Sequence, residues 1–194
     1  MIKLAPISPE DRFDTIAMIA RWRPVHLGHT PVLRALCERS NRAIIGIGSA
    51  NRYNLRNPFT MEETIDMLKL ALVGYSNYEL IPIDDLDDGP RWRKMIMPLL
   101  GSIDLFVTAN PYVAKLLQGD YPICRPVSLI HDVDKIPLDG TMVRHAMAAG
   151  NEWEQMVPKS IAGYIKSNKL DQRFRREFGL EALAMQTIVD RDRG

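Results

Sequence analysis

The sequence predicts an α/β fold, a Rossmann-like doubly wound parallel sheet with C-terminal helices. Short apolar runs alternate with helical periodicity over most of the chain, and no linker, repeat or low-complexity tract breaks that alternation. Beyond Gly140 the pattern changes to helical runs with no convincing strand between them.

The first twelve residues, with Pro6 and Pro9, are turn-rich and read as an extension. TIAMIA, Thr15 to Ala20, suits a buried strand. From Leu27 to Glu38 the apolar residues Val32, Leu33, Leu36 and Cys37 recur at helical spacing, and Ala43 to Ile47 is again strand-like. Strand, helix and strand in this order form a βαβ unit, parallel and right-handed. In NPFTMEETIDMLKLAL, Thr60 with Glu63 is a capping box ahead of Ile65, Leu68 and Leu72. YELIPI is a strand whose Pro82 makes it a poor central one. Pro90 to Leu100 reads as a helix interrupted near Pro98, Asp104 to Thr108 as a strand, and Pro111 to Leu117 as a short helix. Pro122 to Ile130 reads as extended, interrupted by Pro126. MVRHAMAAG, WEQMVPKSIAGYIKSN and LDQRFRREFGLEALAMQTIV follow as helices, forming either a small subdomain or a layer folded back on the sheet. The expected organisation is an extension over 1–13, one domain over 14–168, and a helical extension over 169–194 packed on that domain.

A chain of 194 residues, 46% hydrophobic, is long enough to bury a sizeable core. Its 25 basic and 24 acidic residues leave a formal charge of +1, which offers no broad attraction for nucleic acid or an anionic membrane. Any anion site must be local. The basic run RFRRE has acidic neighbours and reads as a solvated helix face. Cys37 and Cys124 stand apart without a CxxC partner, so neither a disulfide framework nor a cysteine-rich zinc site is indicated, and a reducing cytoplasm fits. No apolar run reaches the length of a membrane span, and the N-terminus lacks the pattern of a signal peptide.

RWRPVHLGHT, residues 21–30, carries two of the four histidines, His26 and His29, where the first strand gives way to the first helix. Ligands of open α/β sheets bind at that edge. Pro24 helps to fix the turn, and Gly28 leaves backbone N–H groups unshielded. Helix-start N–H groups and two imidazoles describe a phosphate-binding corner. Zinc would need further ligands that are not nearby in sequence, while two merely polar turn histidines remain the plainer reading. Arg21 beside the same turn, Arg56 after the second strand, and Arg144 on the helix opened by DGT would place guanidiniums for a polyphosphate if their loops converge. There is no GxxxxGK[ST] loop, and GIGSAN is not a GxGxxG followed cleanly by a helix.

RWRPVHLGH resembles the HxGH signature of the nucleotidyltransferase superfamily, and more narrowly the GRxQPxHxGH start of archaeal-type nicotinamide mononucleotide adenylyltransferases. IIGIGSA, NPFTMEET, TANP and DGTMVRHAM continue the likeness in order, over roughly residues 14 to 168. The resemblance implies adenylyl transfer from ATP, with Mg2+, to nicotinamide mononucleotide, giving NAD and pyrophosphate. It implies that His26, His29 and Arg144 serve catalysis, and that Arg21, Gly28, Arg56, Asn110, Thr141 and Arg144 bind ATP and its phosphates. Gly46, Gly48 and Ser49 would line the nucleotide cleft, and Trp92 would stack on the acceptor base. Magnesium would be held mainly by the ATP phosphates, partners would be small-molecule nucleotides, and the chain would form a homo-oligomer. Ala20, Arg23 and Asp139 depart from the glycine, glutamine and serine of the pattern, and Gly89 stands in place of an asparagine ahead of the tryptophan. Two other readings stay open: a nucleotidyltransferase with another phosphorylated acceptor, and a catalytically weak nucleotide-binding regulatory protein.

Overall fold

A computed structural model describes residues 2–191, with side chains to residue 185; the outer ends of the expected extensions, Met1 and 192–194, lie outside the described residues. The chain divides into two compact units, one drawn from residues up to 21, 31–52 and 74–135, the other from 22–30, 53–73 and 136 onward.

The first unit holds a five-stranded, all-parallel sheet: β1 (Phe13–Ala20), β2 (Ser40–Gly48), β3 (Tyr78–Ile83), β4 (Leu105–Val107) and β5 (Ile123–Cys124). The strand order is β3-β2-β1-β4-β5, so the winding reverses between β1 and β4, the topological switch point of a doubly wound sheet. β1 and β2 are in register from Phe13 opposite Ser40 to Ala20 opposite Ile47. Their centres, Ile16, Ala17, Ile44 and Ile45, are fully buried, as β-branched and small residues between packed layers should be. Pro82 is tolerated because β3 is an edge strand. Helices α3 (Gly89–Leu100) and α4 (Pro111–Leu117) cover one core through Ile96, Leu100, Ala114 and Leu117, against Ala17, Ile44 and Phe106.

Helix α1 (Thr30–Glu38) begins three residues later than expected, because residues 26–30 close into tight turns instead. His29 N–H donates to the His26 carbonyl at 2.8 Å and Thr30 N–H to the Leu27 carbonyl at 3.3 Å. Helix α3 runs unbroken through Pro98, contrary to the expected interruption; a proline so near the end removes one hydrogen bond without needing to end the helix. The extended segment expected over Pro122 to Ile130 shrinks to the two residues of β5, since Pro126–Ser128 turns into a 3-10 helix.

The second unit holds α2 (Met61–Ala71), α5 (Gly140–Ala149), α6 (Lys159–Ser167) and α7 (Leu170–Arg191). The capping box forms as expected: Thr60 accepts from Glu63 N–H, and Glu63 reaches back to Thr60 N–H at 2.9 Å. α5 packs on α7, and α6 contacts both α2 and α7. The basic run RFRRE is less a solvated face than expected. Phe174 is buried, Arg173 grips the Glu63 carboxylate with both terminal nitrogens at 2.6 Å, and Arg175 pairs with Asp171 at 2.7 Å. Glu63 thus caps its own helix and anchors α7.

Thr60→Ala should destabilise the fold by about 1 kcal/mol, read as a lower urea midpoint at unchanged m-value.

Candidate active site

Trp22, buried and in the left-handed region at φ 57°, starts the loop that carries the two histidines. A bulky residue is costly in that conformation, so the surrounding packing must hold it there. The His29 ring meets Trp22 edge-on at 4.8 Å between centroids, and His26 stacks on His29 at 3.6 Å. Arg23 is itself buried. Its guanidinium donates to Thr64 Oγ1 at 3.2 Å and Asn57 Oδ1 at 3.0 Å, so this departure from the resembled pattern has a structural role, tying the loop to α2 and the turn before it.

The start of α5 closes on the same loop. A Cβ on Gly28 would lie 2.5 Å from the Leu138 carbonyl oxygen, so glycine is required there by close backbone approach. Gly140 opens α5 beside the same loop, the site of its Cβ lying 2.9 Å from Arg144 Nη1 and 3.5 Å from the Arg23 carbonyl oxygen. Arg144 donates to that carbonyl at 3.0 Å and to Thr141 Oγ1 at 3.2 Å. Asp139, which stands where the resembled pattern has serine, is the N-cap of α5: its Oδ1 accepts from Thr141 N–H at 2.7 Å and Met142 N–H at 2.9 Å.

Burial pushes the His26 imidazole down to about 4, opposed by the Asp139 carboxylate and reinforced by the Arg144 guanidinium. Burial also holds His29 well below its usual range, with His26 adding to the effect. Both rings are therefore neutral at pH 7. Among the described residues, neither Nδ1 has a hydrogen-bond partner, although both atoms are buried. Two stacked neutral imidazoles beside a helix start and an arginine can present directional donors to an anion.

A second feature lies wholly within the sheet unit. A cleft of about 590 Å³ opens at the carboxyl ends of β1 to β4, lined by Ala20 and Arg21 after β1, Gly48 and Ser49 after β2, and Thr108, Ala109 and Asn110 after β4. Trp92, half-buried on the first turns of α3, forms part of the wall. So do Asp84, Asp85, Asp87 and Asp88, four carboxylates the motif reading passed over. Their signal was an acidic run placed directly after a strand. Asp88 caps α3 through Arg91 N–H at 2.9 Å, Asp87 pairs with Arg52, and Asp85 lies 3.4 Å from Ser49 Oγ.

The predicted site residues thus fall into both units. His26, Gly28, His29, Thr141 and Arg144 come together around the loop, and Arg56 belongs to the same unit with an exposed side chain in the turn braced by Asn54. Arg21, Gly48, Ser49, Trp92 and Asn110 share the cleft. Asn110 also caps α4, accepting from Tyr112 N–H at 2.9 Å. Gly46 is packed inside the sheet unit, where a Cβ would meet Ile19 Cγ1 at 2.6 Å, and it is not among the residues lining the cleft. Gly89 leaves a space filled by Tyr112, a residue that motif spacing did not single out.

Residues 19–192 match the cytidylyltransferase-like family, and the chain belongs to it. Within that class its relatives are narrower in kind. Nicotinamide-nucleotide adenylyltransferase of Thermococcus onnurineus is 35% identical over 81% of this chain and 84% of its own length, and that of Pyrococcus horikoshii 35% identical over 81% and 85%. That of Methanococcus vannielii is 33% identical over 76% and 86%. These are the archaeal-type relatives that the ordered motifs resemble. A solved bifunctional NMN adenylyltransferase/ADP ribose pyrophosphatase from Francisella tularensis, complexed with AMP and a Mn ion, matches with a TM-score of 0.66 at 18% identity. The match covers 92% of this chain and 56% of that one, and at such identity it supports the fold alone.

The depressed imidazoles have a consequence for stability. Between about pH 6.5 and about 4 the unfolded chain binds a proton at His26 that the folded chain refuses, so stability is present above that window and is lost as pH falls through it. Urea unfolding at pH 7 and pH 5 should show a loss of up to about 1.4 kcal/mol per pH unit for each such ring. His26→Asn should flatten that slope; an equal slope in the variant would contradict the assignment.

Proposed function

We propose that this protein transfers the adenylyl group of ATP to nicotinamide mononucleotide, giving NAD and pyrophosphate. The observation that carries the reading is the stacked pair of neutral imidazoles, His26 and His29, beside the start of α5 and Arg144. The family membership and the adenylyltransferase relatives support the same reaction.

The acceptor's 5′-phosphate oxygen attacks the α-phosphorus of ATP; the new O–P bond forms as the bond to the bridging oxygen breaks, and pyrophosphate leaves. No protein nucleophile is needed, so the protein's work is positioning and stabilising charge. His26 and His29 donate N–H bonds to phosphate oxygens. A neutral imidazole suits that role because it presents a fixed donor in a dry site. Arg144, oriented by the Arg23 carbonyl and Thr141, supplies positive charge to the phosphates, and the N–H groups at the start of α5 add their dipole. Arg21 and Arg56 reinforce phosphate binding, and Gly28 keeps the loop backbone close to it.

ATP enters as its magnesium complex. Magnesium is held mainly by the ATP phosphate oxygens, where it would neutralise charge on the departing pyrophosphate. Gly48, Ser49 and Asn110 border the nucleotide, and Trp92 offers the pyridinium ring a stacking face. No helix among the described residues is long and apolar enough to cross a membrane. A cytoplasmic location, small-molecule rather than nucleic-acid partners and assembly into a homo-oligomer belong to the same proposal, and light scattering measures the last.

The direct test is pyrophosphate release from ATP and magnesium with nicotinamide mononucleotide, nicotinic acid mononucleotide and phosphopantetheine as acceptors. Dinucleotide should form with the first; nucleotide binding without product from any of the three would reject the proposal. His29→Ala should lower kcat by tens-fold or more, as the loss of a transition-state donor does, and an unchanged kcat would remove His29 from that role. Trp92→Ala should chiefly raise the acceptor KM.

A further inference from the structure

We infer that Tyr112, admitted by Gly89, determines acceptor specificity by reading the carboxamide of the base and selecting it over the corresponding acid. The inference rests on the adenylyl-transfer reading given above. A Cβ built on Gly89 would lie 2.0 Å from the Tyr112 hydroxyl oxygen and 2.9 Å from Cζ, so the phenol tip occupies the volume of a side chain at position 89. Residues 89 and 92 are three apart on α3 and therefore neighbours on one helix face. The hydroxyl is in this way placed one helical turn ahead of Trp92 on α3, and both Tyr112 and Trp92 line the wall of the same cleft.

The chemistry fits an amide. A phenol both donates and accepts, and a carboxamide offers an acceptor oxygen and a donor NH2, whereas a carboxylate offers acceptors alone. The surroundings add a charge preference. Asp84 and Asp85 border the same cleft, and Arg21 is the one basic residue among its described lining. These carboxylates favour the cationic pyridinium ring and oppose an added negative charge on it. Tyr112 is 59% exposed and its backbone, not its hydroxyl, is engaged by Asn110, so the phenol can be altered without opening the core.

The test is steady-state dinucleotide formation with nicotinamide and nicotinic acid mononucleotides, using wild type, Tyr112→Phe and Asp84→Asn. Tyr112→Phe should lower kcat/KM for the amide acceptor about tenfold, mainly through KM, and change the acid acceptor less than twofold. Asp84→Asn should raise kcat/KM for the acid acceptor severalfold. An unchanged preference in Tyr112→Phe, or an equal fall for both acceptors, would overturn the role of Tyr112 while leaving adenylyl transfer intact. Wild type that forms no dinucleotide from either acceptor would overturn the proposed function, and this inference with it.

Discussion

The buried guanidinium of Arg23 is the constraint on which the histidine corner depends. A charge removed from water must be met by hydrogen bonds, and Thr64 and Asn57 provide them. The same residue's carbonyl receives Arg144. One residue therefore ties together the histidine loop, α2 and α5. On the same loop Trp22 lies in its left-handed conformation, the two imidazoles stack on one another, and Gly28 comes against Leu138.

The arrangement shows how environment, more than residue identity, makes a histidine useful. In water an imidazole would be partly protonated near neutrality, and its charge would fluctuate with small changes in pH. Burial holds both rings neutral, with His29 packed edge-on against Trp22 and His26 stacked on His29. Asp139 contributes indirectly, because its charge is spent on the first N–H groups of α5 and so orients the helix start that an anion would meet.

Much of this was legible in the sequence, and for physical reasons. Strand–helix alternation follows from periodicity, and a capping box such as Thr60 with Glu63 is a local interaction that spacing can encode. HxGH and DGTMVRHAM name residues that do meet in space. What spacing could not show were the contacts that depend on distant backbone. The burial of Arg23, the reason for Gly28 and the filling of Gly89's space by Tyr112 all come from pieces far apart in the chain. The start of α1 was placed too early because the apolar periodicity, which begins only at Val32, leaves the boundary unset, and the turns over 26–30 rest on backbone bonds that spacing does not encode. The four aspartates were passed over because an acidic run resembles an ordinary surface loop until the fold puts it on a cleft wall.

The close approach of Gly28 to Leu138 also bears on how the protein comes into being. Contacts between segments roughly a hundred residues apart carry a loop-closure penalty and form late relative to neighbouring ones. During synthesis the first βαβ unit can emerge well before α5, so its histidine loop exists for a time without the helix start that closes it. The assembled corner, with the α5 start closed on the histidine loop, is therefore completed late in folding. Any ligand that needs both the loop and the α5 start would stabilise only the finished molecule.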